Sequence, residues 1–97
     1  MSSNLATRLL IRGRVQGVGY RAWFATEAER RRLAGWVRNR RDGSVEALVL
    51  ASAESLHDLI EASRSGPPAA RVTEVAFKEE DVQETEAGPG FDVRPTA

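Results

Sequence analysis

A change of hydrophobic period inside residues 7–28 constrains this chain more than any other feature. From Thr7 to Val15 the residues alternate, with Thr7, Leu9, Ile11, Gly13 and Val15 on one side and Arg8, Leu10, Arg12 and Arg14 on the other, the period of a strand with one buried face. From Tyr20 the period becomes helical. Tyr20, Phe24 and Ala28 recur every four residues beside Trp23, and the stripe runs out between Arg32 and Ala34. Gly17 and Gly19 lie at the junction, and the helix needs a sheet on which to bury its stripe.

The rest of the chain supplies that sheet. Gly35 precedes a short strand, Trp36-Val37-Arg38-Asn39, and Arg40-Arg41-Asp42-Gly43 then reads as a hairpin, because Asp-Gly between extended runs suits a tight turn. The return strand sets Val45, Ala47 and Val49 against Glu46, Leu48 and Leu50. Ser52 is the expected N-cap of a second helix with Leu56, Leu59 and Ile60 inside, ended by Gly66-Pro67-Pro68. Residues Arg71 to Lys78 form another predicted strand. An acidic, glycine-containing stretch from Glu79 to Gly90 precedes a last short one at Phe91-Asp92-Val93. The order β-α-β-β-α-β predicts the α+β class: a ferredoxin-like split βαβ two-layer sandwich, with an antiparallel sheet carrying two helices on one face.

At 97 residues, a single domain spanning 1–97 is expected, burying roughly 60 to 65% of the surface its unfolded form exposes. Fourteen basic and fourteen acidic residues cancel, so total charge recruits neither nucleic acid nor anionic membrane. Placement is less even, since ten arginines precede Asp42. The first half is basic and the second acidic. The absence of cysteine removes disulfides, thiolate metal sites and a cysteine nucleophile together. Leu9-Leu10-Ile11 is too short for a signal core or a membrane span. A soluble cytoplasmic protein is expected.

The glycine bend is the first candidate site. Gly17 and Gly19 let the backbone curl so that successive N–H groups converge, and a helix starting near Tyr20 aims its unpaired amides at the same point. Arg21 adds a permanently charged fork. The spacing of Gly13, Gly17 and Gly19 is not GxGxxG and no Gly-Lys-Ser/Thr follows, so a nucleotide loop is not indicated. Two glycines alone would be ordinary turn chemistry; Arg21 turns the reading toward an anion. Asn39, at the end of the second strand, can donate and accept hydrogen bonds, or can simply cap the turn. Its functional reading requires that it meet Arg21 in space.

These residues carry a resemblance. Gly13-Arg14-Val15-Gln16-Gly17-Val18-Gly19-Tyr20-Arg21, then Gly35-Trp36-Val37-Arg38-Asn39 followed by Gly43-Ser44-Val45, resemble the two signatures of the acylphosphatase family, in order and at a fitting separation. Weaker similarity runs through Gly66-Pro67-Pro68-Ala69-Ala70-Arg71-Val72 to Phe91-Asp92-Val93-Arg94, covering nearly the whole chain. The resemblance implies hydrolysis of a small acyl phosphate to carboxylate and inorganic phosphate, with no metal or other cofactor. A monomer with no nucleic-acid or membrane partner is expected. The resemblance also implies that Arg21 binds the phosphoryl group, with the amides of Val15, Gln16, Gly17, Val18, Gly19 and Tyr20 around it, and that Asn39 positions the attacking water. The chemistry is consistent with those residue types. Phosphoryl transfer is mainly positioning and charge stabilisation, and a carboxylate leaves without a strong general acid.

The chain departs from the family pattern at three places. Arg31-Arg32-Leu33 stands where Leu-Gly-Leu is frequent, so either Arg32 is strained in a left-handed conformation or the helix ends differently. Phe24 replaces a common threonine, and Ala51 stands where the second signature usually closes with glycine. These changes bear on local backbone geometry more than on Arg21 and Asn39.

Other residues read as structural. His57, the only histidine, is expected on the exposed side of the second helix; Arg30-Arg31-Arg32 suits a solvated helix C-terminus; Trp23 and Trp36 are expected to pack. Glu79-Glu80-Asp81 lacks the partner set of a metal site. The alternative function is a non-catalytic ferredoxin-like module binding RNA or an anionic metabolite. RNA-binding sheets of this shape display aromatic residues for stacking, and none occupies the alternating positions of the first or third strand.

Overall fold

The period change is a strand-to-helix junction in the computed structural model, which describes residues 3–50, 53–83 and 90–97. Strand β1 (Ser3–Arg14) leads into helix α1 (Tyr20–Arg30). Strands β2 (Ala34–Asn39) and β3 (Val45–Leu50) form the hairpin, and helix α2 (Ala53–Ser65), strand β4 (Arg71–Gln83) and strand β5 (Phe91–Arg94) follow. The sheet order is β4-β1-β3-β2-β5, with both helices packed on one face. Alternation decides that face. Leu9, Ile11, Val37, Val45, Ala47 and Val49 point into the core with Tyr20, Phe24 and Ala28 of α1 and Leu59 and Ile60 of α2, all buried. Phe24, in place of the common threonine, packs its ring 5.8 Å from that of Phe91.

The first four strands pair antiparallel as predicted, whereas β5 pairs parallel with β2, making the sheet mixed. Direction explains the difference. β4 runs opposite to β1 and β2, so a chain that crosses to the far edge and reverses must run with β2. Strand β4 is also longer than predicted, reaching Gln83, which pairs with Ser3. The acidic run pairs along β1, where one basic residue meets it. Arg8 donates from Nε to Glu80 Oε2 at 2.7 Å and from Nη2 to Glu80 Oε1 at 3.0 Å, a two-pronged fork across the ladder. Ala51, the proposed cap Ser52 and residues 84–89 of the acidic stretch lie outside the described residues.

Helix α1 stops at Arg30, earlier than the predicted Arg32 to Ala34, and Arg32 takes the left-handed conformation itself, with φ +58°. Its N–H donates to Glu29 O at 2.9 Å and the Leu33 N–H to Ala28 O at 3.0 Å, the paired bonds of a Schellman cap. Buried Leu33 and Ala28 complete the motif. Arg30 and Arg31 both pair with Glu27, and His57 is exposed, matching their structural readings.

On the helix-free face, Trp36 lies only 4% exposed beneath the guanidinium groups of Arg38 (4.7 Å to the ring centroid) and Arg94 (4.8 Å). Its ring is therefore closed as a stacking platform for a base. Glu46, also buried, accepts from Arg8, Arg38 and Arg40 at 2.6, 2.8 and 3.3 Å.

Candidate active site

The residues from Val15 to Gly19 carry the chain from the end of β1 to the start of α1. Gly17 (φ +73°) and Gly19 (φ +78°) are left-handed, a conformation that costs an L-residue about 1–2 kcal/mol and glycine almost nothing. Gly19 is the N-cap; its carbonyl accepts from the Trp23 N–H at 3.0 Å, and no side chain caps the helix. Among the described residues, the amides of Gly17, Val18 and Gly19 donate to no backbone carbonyl. The start of α1, where a helix has unpaired N–H groups and the positive end of its dipole, borders a cavity of about 250 Å³.

Arg21 and Asn39 meet at that cavity, which Gly17, Gly19, Ala22 and Val93 also line. Arg21 is half-buried in the first turn of α1. Its Nη1 makes one long contact, 3.4 Å to Arg94 O, and among the described residues no carboxylate pairs with it. Asn39 ends β2, opposite Val45 of β3, with its carbonyl accepting from the Ala97 N–H at 3.0 Å. Its side-chain Oδ1 is buried with no hydrogen-bond partner. An orphaned buried oxygen is costly, about 1–3 kcal/mol, unless something in the cavity donates to it.

The remaining predicted residues divide between amide and side chain. Val15 and Tyr20 line the cavity and are also buried members of the core. The Tyr20 hydroxyl donates to Ser63 O at 2.7 Å, and burial pushes its ionisation well above the usual phenol range despite that bond. Val18 packs partly against the core. Gln16 does more than its position in the loop suggested, since its side-chain Nε2 donates to Arg40 O at 2.7 Å and Ser44 O at 2.9 Å. The last strand is expected from the sequence, but not its place at the site: Val93 lines the cavity and the Arg94 carbonyl accepts the long contact from Arg21. Four residues of β5 with no clear alternation carried no signal of that role.

A roomier groove, about 530 Å³, runs between α2 and the β1–β4 ribbon beside Leu5, Leu56 and Phe77. There Glu61 and Glu79 stand beside Arg64, so it lacks the unopposed positive field that a small dianion needs. No helix among the described residues is long and apolar enough to cross a membrane.

Fold and site together define a ferredoxin-like α+β protein with an electropositive cradle where β1, β2 and α1 meet. The family model for acylphosphatase matches residues 7–93. The chain is 55% identical over 95 residues to the acylphosphatase of Azoarcus sp. (strain BH72), covering 97% of this chain and 94% of that one. It is 50% identical over 92 residues to that of Acidiphilium cryptum (strain JF-5), covering 95% and 98%. The crystal structure of acylphosphatase from Bacillus subtilis matches with a TM-score of 0.85 at 39% identity, over 93% of this chain and 98% of that one. The chain belongs to the acylphosphatase family and is an enzyme.

Proposed function

We propose that this enzyme hydrolyses small acyl phosphates by direct attack of water on phosphorus. The amides of the Val15–Tyr20 loop and the Arg21 guanidinium hold the phosphoryl oxygens, and Asn39 Oδ1 accepts a hydrogen bond from the attacking water. The water oxygen bonds to phosphorus as the phosphorus–oxygen bond to the acyl group breaks. Carboxylate leaves, and both water protons stay on the resulting dihydrogen phosphate. Positioning and charge stabilisation carry the reaction, so the residues needed are donors and an orienting acceptor. The carrying observation is the buried, unpartnered Asn39 Oδ1 beside a cavity that Arg21, Gly17 and Gly19 also line.

We further read residues 1–97 as one domain acting as a monomer. The exposed edge of β4 carries Glu74, Lys78, Glu79 and Glu80, and charges on an edge strand discourage strand addition.

Phosphate release from benzoyl phosphate, measured with a metal chelator present, tests the reaction. Arg21→Ala and Asn39→Ala should each lower kcat about 100- to 1,000-fold, the cost of removing one positioned donor or acceptor in a transition state. Wild-type turnover in either variant would remove that residue from the mechanism. Loss of activity in chelator, restored by a divalent cation, would refute the metal-free scheme.

A further inference from the structure

The two halves of the site hang from strands that do not touch. β1 delivers the loop and β2 delivers Asn39, with β3 between them, so about 9–10 Å of sheet separates their ends. A direct link crosses that gap. Gln16 Nε2 uses both of its N–H groups, donating to Arg40 O at 2.7 Å and to Ser44 O at 2.9 Å. Arg40 directly follows Asn39, and Ser44 directly precedes Val45, the residue paired with Asn39 across the hairpin. The same two residues close the turn, since the Arg40 N–H donates to Ser44 O at 2.8 Å and the Gly43 N–H to Arg40 O at 3.1 Å. Gln16 therefore grips both sides of the hairpin one residue beyond the Asn39–Val45 pair. The next residue along its own chain is Gly17, which lines the cavity.

We propose that Gln16 is a positioning residue: its side chain fixes the distance between the phosphoryl cradle and Asn39, so that bound phosphorus and oriented water lie in line. This role rests on the water-orienting function of Asn39 proposed above. Holding phosphate requires only the loop and Arg21, whereas attack requires the loop and Asn39 in register. Losing the tie should then act on turnover and spare ground-state binding. A general loosening of the loop would weaken both.

The test compares wild type, Gln16→Leu and Gln16→Asn, reading kcat on benzoyl phosphate and the inhibition constant of inorganic phosphate. Leucine keeps the bulk and removes both donors; asparagine keeps the donors one methylene too short to reach both carbonyls, and its polarity suits a half-buried position if leucine prevents folding. In each folded variant kcat should fall about 10- to 100-fold while the phosphate inhibition constant stays within about threefold of wild type. Turnover within about threefold of wild type overturns the proposal, as does a proportional loss of turnover and phosphate affinity. Arg21→Ala and Asn39→Ala, run alongside, separate the two levels. If Asn39→Ala turns over normally, the underlying mechanism fails; if it is crippled while both Gln16 variants are not, only the positioning role fails.

Discussion

Replacing Arg32 by glycine should stabilise the fold by about 0.5–1 kcal/mol. Arg32 has φ +58°, where an L-residue pays about 1–2 kcal/mol for its Cβ against the following carbonyl. Glycine removes that strain but loses about 0.5–1 kcal/mol more backbone entropy on folding, which leaves the net gain. Little else changes. The Schellman bonds from the Arg32 and Leu33 amides are backbone bonds and persist, and the exposed Arg32 side chain makes no ion pair among the described residues. Denaturant unfolding followed by the fluorescence of Trp23 and Trp36 should show a higher midpoint with unchanged slope, and thermal unfolding a rise of about 2–6 °C. Arg32→Ala is the control, because it deletes the charge and keeps the Cβ. Equal stability of Arg32→Gly and wild type, or an equal gain in Arg32→Ala, would refute the reasoning. Turnover should not move, since α1 places about 16 Å of helix between this cap and the cradle.

Two further predictions concern buried polar contacts. Tyr20→Phe removes the 2.7 Å bond to Ser63 O and should cost about 1–3 kcal/mol in denaturant unfolding, because the carbonyl loses its partner in the core; an unchanged midpoint would show that water replaces the hydroxyl. Burial raises the Glu46 carboxyl, but hydrogen bonds from Arg38 and Arg8 outweigh it and hold the group below its ordinary value of 4.5; Glu80 is lowered chiefly by its hydrogen bond from Arg8. A folded value below the unfolded one means the contribution is complete above about pH 4.5 and disappears as pH falls through the folded value. Stability measured against pH should therefore drop on the acid side, and Glu46→Gln should flatten part of that drop; an acid limb identical in both proteins would exclude Glu46 as a source.

The legible parts of this protein are those where one local rule acts without competition. The shift from alternation to fourfold spacing marked β1 and α1, Asp42-Gly43 marked the hairpin, and the glycines with Arg21 marked the cradle. The order of elements pointed to the ferredoxin-like frame. Three features were hidden because tertiary partners decide them. Glu79 to Gln83 reads as part of an acidic, glycine-containing stretch until Arg8 appears across the ladder as the partner of Glu80. The parallel pairing of β5 follows from the directions of strands that lie far apart in sequence. Gln16 reads as a loop residue contributing an amide, since nothing near it in sequence reveals carbonyls 24 and 28 residues away.

Why the site forms at this end of the sheet follows from the crossover. β1, α1 and β2 make a unit in which both strands run the same way, so their C-terminal ends and the N-terminus of α1 gather at one edge. A helix start supplies unpaired amides, a strand end supplies a side chain no longer committed to the ladder, and the bend between them needs residues that tolerate left-handed backbone. Gly17, Gly19, Arg21 and Asn39 are the answers of this sequence to those requirements. The same topology sets β3 between the two strands and denies the cradle and Asn39 any shared backbone hydrogen bonds. A side chain must supply their register, and the reach of Gln16 over the top of β3 meets that need.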